Sequence, residues 1–391
     1  MSATAAERVP LRTIALEWTR IGVTGFGGPP THIALLRRLA VDREHWIDQR
    51  EFEDALAACN LLPGPASTQL AIFLARRVAG PWGAVIGGLG FIVPAVVLII
   101  LLSVVFLGES PPVWVRGVGA GAGAAVAAVA VSAAASLAGP SLKRTTQRER
   151  WFVYAVLGLA SAALIGRYLV LVLLGCGLVE LGIARGFGDR SRLGGWAPVV
   201  APAAGAVAAV AGAGGLGALA WVAFKVGALS YGGGFVIIPL MQGDAVHTYH
   251  WMTSSQFLDA VALGQITPGP VVATVAAVGY AAHGVGGGAL AALIAFLPSF
   301  LFVLIGGGQF ERVRTSPRAQ AFLAGAGPAA IGAIFGAAIP LTAALRETWE
   351  FVVLGAAAVA LLLLRRSIVL TLVGAAIVGM VLALAGAPVP R

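Results

Sequence analysis

The stretch Asn60-Leu61-Leu62-Pro63-Gly64-Pro65 decides the fold of this chain, because it returns 205 residues later as Gln265-Ile266-Thr267-Pro268-Gly269-Pro270. Residues of many other types keep the same spacing: Trp46 and Trp251, Phe52 and Phe257, Asp54 and Asp259, Gly22 and Gly227, Phe26 and Tyr231, and Gly27-Gly28 and Gly232-Gly233. A bias in composition alone would not hold one register across so many residue types. The chain therefore contains two copies of one unit.

The composition is that of a membrane protein. Hydrophobic residues make up 59% of the chain, charged residues make up 11%, and the mean hydropathy is +0.91. The apolar stretches 83–107, 351–364 and 368–384 cross or nearly cross a hydrocarbon core, which needs about 20 residues of helix. This pattern excludes a soluble enzyme. A repeat whose best-matched parts are Gly/Pro interruptions is typical of a transporter built from two related halves.

The basic residues carry a topology signal. The net charge is +9, but Lys and Arg are scattered between apolar segments, which argues against a nucleic-acid partner. The loop with Arg37, Arg38, Arg43 and Arg50 is strongly basic, whereas the matching residues 241–254 contain neither Lys nor Arg. Since Lys and Arg collect on the cytoplasmic side of a membrane, the second copy is predicted to be inverted relative to the first.

The predicted fold is an all-α integral membrane protein with two inverted-topology repeats. Each repeat has two re-entrant helical hairpins and about four crossing helices, and one extra helix links the repeats. The hairpins are expected at 11–41, 52–79, 218–246 and 255–282, and the crossings at 83–107, 113–138, 151–166, 168–184, 286–309, 319–343, 350–364 and 367–387. The domains are then an N-terminal repeat (1–195), a linking transmembrane helix (196–217) and a C-terminal inverted repeat (218–391). The number of crossings within 151–184 stays open.

This topology can be scored against the positive-inside rule. It places 20 of the 26 Lys and Arg on one side of the membrane, four on the other side, and Arg20 and Lys225 inside the hairpins. The basic side is interpreted as cytoplasmic, so the N-terminus is cytoplasmic and the C-terminus lies on the opposite side.

The interruptions mark a predicted anion site. Non-helical backbone at membrane depth persists only where protein buries it or where it lines a wet cavity. Each break is followed by a new helix, whose free N–H groups and positive dipole end favour an anion. The glycines at 25, 27 and 28 let a ligand approach the backbone, and Pro65 suits a helix start because it has no N–H to lose. The alternative is that Gly and Pro serve only close packing and kinks.

Polar residues inside the apolar segments are the other candidates. Arg20 and Lys225 form a basic pair at equivalent positions, and a cation at mid-membrane is usually retained for a partner or ligand. The alternatives are snorkelling to an interface or, for Arg20, a pair with Glu17. The amides Asn60 and Gln265 either bind an oxyanion or cap their hairpins. For proton relay the candidates are Glu17, Asp54, Asp259 and His32, against structural roles for the carboxylates and a polar surface position for the histidine.

These motifs carry a family resemblance. Gly25-Phe26-Gly27-Gly28-Pro29, Trp46 and the first Pro-Gly-Pro resemble the signature of the chromate ion transporter (CHR) family in its long two-domain form, and Tyr231 to Gly234 with the second Pro-Gly-Pro are similar to its C-terminal version. The resemblance implies secondary active export of chromate from the bacterial cytoplasm, with sulfate as the close analogue. The residue pattern and the resemblance together predict the substrate-binding positions Arg20, Gly25, Phe26, Gly27, Gly28, Asn60, Pro63, Gly64, Pro65, Ser67, Thr68, Lys225, Tyr231, Gly232, Gly233, Gln265, Pro268, Gly269 and Pro270.

The predicted mechanism is alternating access around one tetrahedral dianion at the centre of the bilayer. No G-x-x-x-x-G-K-[ST] motif is present, so transport draws on an ion gradient or runs downhill, with proton coupling an option. An anion channel and a sulfate importer remain as alternatives. An intramembrane enzyme would need a set such as H-E-x-x-H or G-x-S-x-G, and neither occurs. We expect membrane lipid around the protein, no cofactor, no metal and no nucleic acid, with a homodimer as one option for an oligomeric state that stays open.

Overall fold

The structure is a computed structural model that describes residues 8–61, 64–108, 110–164, 166–184, 215–230, 234–306 and 316–390. Across these ranges the chain is helical and has no strand. The predictions for Pro63, for Tyr231, Gly232 and Gly233, and for nearly all of the linking helix fall outside the described residues.

In its described residues the first copy forms seven helical elements, whose bounds lie within about six residues of the predicted ones. They are α1 (Leu11–Thr24), α2 (Pro29–Arg37, continued by a π-helical turn Arg38–Arg43), α3 (Gln49–Leu61), α4 (Ala66–Phe106), α5 (Val113–Arg144), α6 (Arg148–Leu164) and α7 (Leu169–Ala184). The segment 151–184, left open by the sequence, thus contains two separate helices.

The second copy follows the same order. Its helices are α8 (Gly215–Leu229), α9 (Ile237–Gln242, continued by a π-helical turn Gly243–Thr248), α10 (Ser254–Ile266), a 3₁₀ turn Val271–Thr274, α11 (Val275–Gly306), α12 (Pro317–Ala343), α13 (Thr348–Ala358, continued by Val359–Leu363) and α14 (Ile368–Leu384). A capping box of Thr253 and Gln256 satisfies free N–H groups at the start of α10.

The 205-residue spacing also relates backbone conformations. After each π-helical turn a histidine adopts a positive φ, 52° at His45 and 53° at His250. Each histidine is followed by a tryptophan whose backbone N–H donates to a carbonyl in that turn, from Trp46 to Ala40 at 2.9 Å and from Trp251 to Ala245 at 2.8 Å. The repeat is therefore present in the local fold as well as in the sequence.

The chain reverses direction within α4 and within α11. Gly80 has φ 74° and ψ −165°, which no helix contains, and Gly284 has φ 62° and ψ −156°. After Gly80 the two segments lie side by side, because a Cβ built on Gly83 would lie 2.5 Å from the carbonyl oxygen of Ala75. Each of these elements is therefore two antiparallel helices.

Side-chain pairs close the first-copy elements into helical hairpins. An ion pair of 2.6 Å between Glu17 and Arg43 joins α1 to the end of α2. Glu51 pairs with Arg77 and so joins α3 to the first segment of α4. The Val9 N–H donates to the Val78 carbonyl at 3.1 Å, so the open ends of both hairpins lie together.

The second segment of α4 and the second segment of α11 run antiparallel to each other. A Cβ on Gly88, near the start of the second segment of α4, would lie 2.4 Å from Phe300 near the end of α11. Conversely, a Cβ on Gly288 would lie 3.1 Å from Ile100. Arg76 also donates to the Val303 carbonyl, so the end of α11 reaches the open ends of the first-copy hairpins.

The long helix of each copy packs on the last two helices of the other copy. Helix α5 contacts α13 and α14, while α12 contacts α6 and α7. Glycines permit these close approaches: a Cβ on Gly121 would lie 2.2 Å from the Ala375 oxygen, and one on Gly332 would lie 1.8 Å from the Ala155 oxygen. The core is therefore formed largely between the copies.

The helices have the length and composition of membrane spans. Among the described residues, four segments are long and apolar enough to cross a bilayer, namely Ala66–Phe106, Val113–Arg144, Val271–Leu304 and Pro317–Ala343. Four shorter apolar helices accompany them, at Leu169–Ala184, Gly215–Leu229, Thr348–Leu363 and Ile368–Leu384. The chain is accordingly a helical membrane protein.

Candidate functional site

The helix breaks of the two copies meet inside the protein. The Gly269 N–H, in the second Pro-Gly-Pro, donates to the Gly25 carbonyl of the first glycine turn at 3.1 Å. A Cβ on Gly269 would lie 3.8 Å from the Gly22 oxygen, and one on Gly64 would lie 3.5 Å from the Gly227 oxygen. Because Gly22 and Gly227 are equivalent, each Pro-Gly-Pro contacts the same point of the other copy.

Glycine is required at both corners. Gly64 has φ 118° and Gly269 has φ 102°, a region that side chains with a Cβ rarely adopt. The prolines around them, Pro65, Pro268 and Pro270, are buried. In the first glycine turn Gly27 and Gly28 also have positive φ, while the Phe26 side chain is exposed.

His32 ties the glycine turn to the start of α4. It is fully buried, so the predicted alternative of a polar surface residue is wrong. Its Nε2 lies 2.9 Å from the Gly25 carbonyl oxygen, which only accepts, so Nε2 carries the proton in this bond. Its Nδ1 lies 3.4 Å from the Ser67 hydroxyl and can accept from it. The imidazole therefore fixes the positions of two breaks.

Helix α4 begins at the first corner with buried polar residues. The N–H groups of Thr68 and Gln69 both donate to the Pro65 carbonyl at 3.0 Å. Anion contacts from the backbone would therefore come from the preceding N–H groups, at Ala66 and Ser67.

Several buried hydrogen-bond donors near the breaks have no partner in the part of the chain that is described. They are the Thr68 hydroxyl, the Ser230 hydroxyl, the Gln265 side-chain nitrogen and the Ser299 hydroxyl. A buried donor without a partner costs about 1–3 kcal/mol, so each of these groups calls for an explanation, and a bound oxyanion would supply the missing acceptor. All four groups can donate to an oxyanion.

Ser230 and Ser299 were missed by the sequence reasoning. A Cβ on Gly227 would lie 1.9 Å from the Ala295 oxygen, and Ser299 lies one helical turn beyond Ala295. It therefore faces the end of α8, where Ser230 follows. The available signal was Pro298-Ser299, which repeats Pro94-Ala95, but the spacing here is 204 residues instead of 205.

The predicted basic pair has a different environment in the two copies. The Lys225 Nζ lies 2.5 Å from an Asp244 oxygen, and both side chains are largely buried. It also lies 5.4 Å from the ring of Trp221. The Arg20 side chain is exposed, and the suggested partner Glu17 pairs instead with Arg43. Lys225 therefore already has a counter-ion in the protein.

A cavity of about 540 Å³ leads to the first corner. One end of it is lined by Asn60, Gly64 and Ala66, so the predicted amide faces the cavity. Its outer part lies at the α5–α6 turn, where Arg144 and Arg150 line it. The opposite wall comes from α12 of the second copy, with Gly327, Pro328 and Ile331 among its residues.

A second cavity of about 400 Å³ lies near the start of α10. Arg116, Asp259 and Glu350 line it, but the residues of the second Pro-Gly-Pro do not. Glu350 accepts from the backbone N–H groups of Arg346 at 2.7 Å and Glu347 at 2.9 Å, as a helix cap of α13. Asp54, the equivalent of Asp259, lines a separate small cavity. The two equivalent aspartates therefore have different surroundings.

Comparison with known proteins gives a consistent result. The sequence profile described as "Chromate transporter" matches residues 12–181 and 217–380. A "Chromate transport protein" of Cupriavidus metallidurans is 32% identical over 97% of this chain and 95% of its own length. Similar proteins are a "Probable chromate transport protein" of Synechococcus elongatus, 28% identical over 85% of this chain and 84% of its own, and a "Chromate transport protein" of Pseudomonas aeruginosa, 30% identical over 85% and 81%. No solved structure matches the chain.

Proposed function

This chain belongs to the chromate transporter family, and from that premise we propose that it is a secondary active exporter of chromate, a tetrahedral dianion for which sulfate is the close analogue. It works in the bacterial cytoplasmic membrane by alternating access. The observation that carries the proposal is the cavity of about 540 Å³ that ends at Asn60, Gly64 and Ala66. An open route to the start of a helix is what an anion carrier needs.

The proposed ligands are mainly neutral donors. The backbone N–H groups at the start of α4 and the hydroxyl of Thr68 belong to the first copy, while the amide nitrogen of Gln265 belongs to the second. Such donors, held in place by the fold, stabilise an oxyanion without a paired lysine or arginine. This accords with the ion pair between Lys225 and Asp244, which already satisfies the buried cation.

In the proposed topology the copies are inverted repeats, and the hairpins around the Gly/Pro breaks are re-entrant. The antiparallel contacts Gly88–Phe300 and Gly288–Ile100 support the inversion. The pair Glu51–Arg77 supports re-entry, because both ends of that hairpin then lie on one side. The side with Arg43, Arg77 and Arg144 is cytoplasmic, since basic residues stay there.

The proposed transport cycle starts from this conformation, with the cavity open towards the cytoplasm. Chromate enters past Arg144 and binds at the first corner. The two copies then rock about the paired contacts Gly64–Gly227 and Gly269–Gly22, which closes this cavity and opens the other side. Export of a dianion gains about 2.3 kcal/mol per charge per 100 mV from an inside-negative potential. The charge of the dianion therefore does not require proton coupling.

The test is flux of radiolabelled chromate into inside-out vesicles, with sulfate as competitor and with or without a pH gradient. Thr68→Val should lower flux at low chromate by about tenfold or more, because a hydrogen bond to a charged group is worth about 1.5–3 kcal/mol. Thr371→Val is the matched control, since that hydroxyl already donates to the Ser367 carbonyl at 3.0 Å.

Three results would count against the proposal. Normal flux in Thr68→Val would remove that hydroxyl from the site. Flux that neither saturates nor shows counterflow would indicate a channel. Uptake only into right-side-out vesicles would indicate an importer.

A further inference from the structure

A charged cluster lies in the outer part of the large cavity, away from the helix breaks. The Arg150 Nη1 lies 3.3 Å from one Glu180 oxygen, and the Tyr154 hydroxyl donates to the other at 2.8 Å. The Arg150 side chain is 31% exposed and the Glu180 side chain 12%. All three residues line the cavity, so this ion pair faces the route to the first corner.

The surroundings of the cluster are otherwise basic and neutral. Arg144 lines the same cavity, together with Thr145, Thr146 and Gln147 of the α5–α6 turn. Ser141 accepts from the indole N–H of Trp151 at 2.9 Å, which fixes this wall. Among the described residues that line the cavity, Arg144, Arg150, Glu180 and Tyr154 are the charged or titratable groups. Two guanidinium groups thus share the cavity with one carboxylate.

We propose that Arg150, together with Arg144, forms an outer binding station for tetrahedral oxyanions. While the station is empty, the Glu180 carboxylate pairs with the Arg150 guanidinium. An entering oxyanion replaces Glu180 on the guanidinium, which binds such groups through two parallel N–H bonds. The station rests on the proposed function, since its ligand is the same anion, but it is a separate site from the helix breaks.

The resident carboxylate gives the station selectivity by charge. A monovalent anion carries no more charge than the Glu180 carboxylate that it has to displace, whereas a dianion is attracted about twice as strongly at the same distance. The station therefore favours chromate and sulfate over the abundant monovalent anions. This is discrimination by a built-in competitor rather than by shape.

The experiment measures equilibrium binding of radiolabelled chromate to the purified protein, and KM and kcat for flux in vesicles. Arg150→Ala should weaken binding and raise KM about fivefold or more, with kcat kept, because the inner site is intact. Glu180→Gln should tighten binding about two- to fivefold, as expected from a partly exposed ion pair, and should make chloride a better competitor. Arg150→Lys keeps the charge but loses the two parallel N–H donors, so its affinity for chromate should lie between those of the wild type and Arg150→Ala.

Arg148→Ala is the matched control, because that arginine lies two residues away and does not line the cavity. It should leave the affinity for chromate unchanged. Unchanged affinity in Arg150→Ala, or weaker binding in Glu180→Gln, would overturn the station while leaving transport by the wild type intact. Absence of binding and flux in the wild type would overturn the proposed function as well.

Discussion

Gly269→Ala is expected to destabilise the meeting point of the two copies by an amount that can be worked out from the structure. The φ of 102° at Gly269 costs a residue with a Cβ about 1–2 kcal/mol. The added Cβ would also lie 2.5 Å from the Ala95 Cβ, against an optimal carbon–carbon separation of about 3.5–4.0 Å. Overpacking of this kind costs about 1–3 kcal/mol. The free energy of unfolding should therefore fall by about 2–5 kcal/mol.

The two terms can be separated with a second substitution. Ala95→Gly removes the clash but leaves the backbone strain, so the double variant should be more stable than the sum of the single effects by about 1–3 kcal/mol. The assay is the thermal unfolding midpoint of the purified protein in detergent. Gly374→Ala is the matched control, since nothing lies within 4 Å of a Cβ there. A Gly269→Ala midpoint equal to that control, or no recovery in the double variant, would refute the reasoning.

Two further predictions concern the ion pair and the topology. Lys225→Ala should lower the free energy of unfolding by about 3–5 kcal/mol, because it leaves Asp244 buried without its cation. The double variant Lys225→Met with Asp244→Leu should restore most of the thermal unfolding midpoint. Weaker chromate binding at unchanged stability would instead make Lys225 a ligand. Arg43→Cys and Thr248→Cys, each in a background without native cysteines, should react with an impermeant maleimide from opposite sides of the membrane, and labelling from one side would reject the inversion.

The helices and the repeat could be predicted from the sequence because both depend on local patterns. The length of each apolar stretch sets the length of its helix, and Gly/Pro interruptions mark its ends. Helices α1, α5 and α7 accordingly begin within a residue or so of their predicted starts. The contact of each Pro-Gly-Pro corner with the other copy fits the repeat, because equivalent breaks in related halves usually lie at the interface between them.

The partners of the charged residues could not be predicted in this way. Asp244, the counter-ion of Lys225, aligns with Leu39 in the first copy, so the repeat gave no hint of the pair. Arg150 and Glu180 lie on different helices, and only the packing of α6 against α7 brings them together. Such contacts depend on tertiary structure, which the 205-residue spacing of the repeat does not report.

A one-residue change in the spacing between the copies explains why Ser299 could not be predicted. The reversals at Gly80 and Gly284 are 204 residues apart, so the register slips by one between the Pro-Gly-Pro corner and the turn. Ser299 lies beyond this slip, and a fixed offset aligns it with Pro94 instead of Ala95. Aligning the two reversals first would have found it.

The exchange of helices between the copies has a consequence for synthesis. Helices α6 and α7 leave the ribosome long before α12, the helix on which they pack, because α12 begins only at Pro317. The early helices must therefore wait in the lipid with their glycine-lined faces uncovered until the later half arrives. We therefore expect the contacts of α6 and α7 with α12 to form late, only after residue 317 has been synthesised.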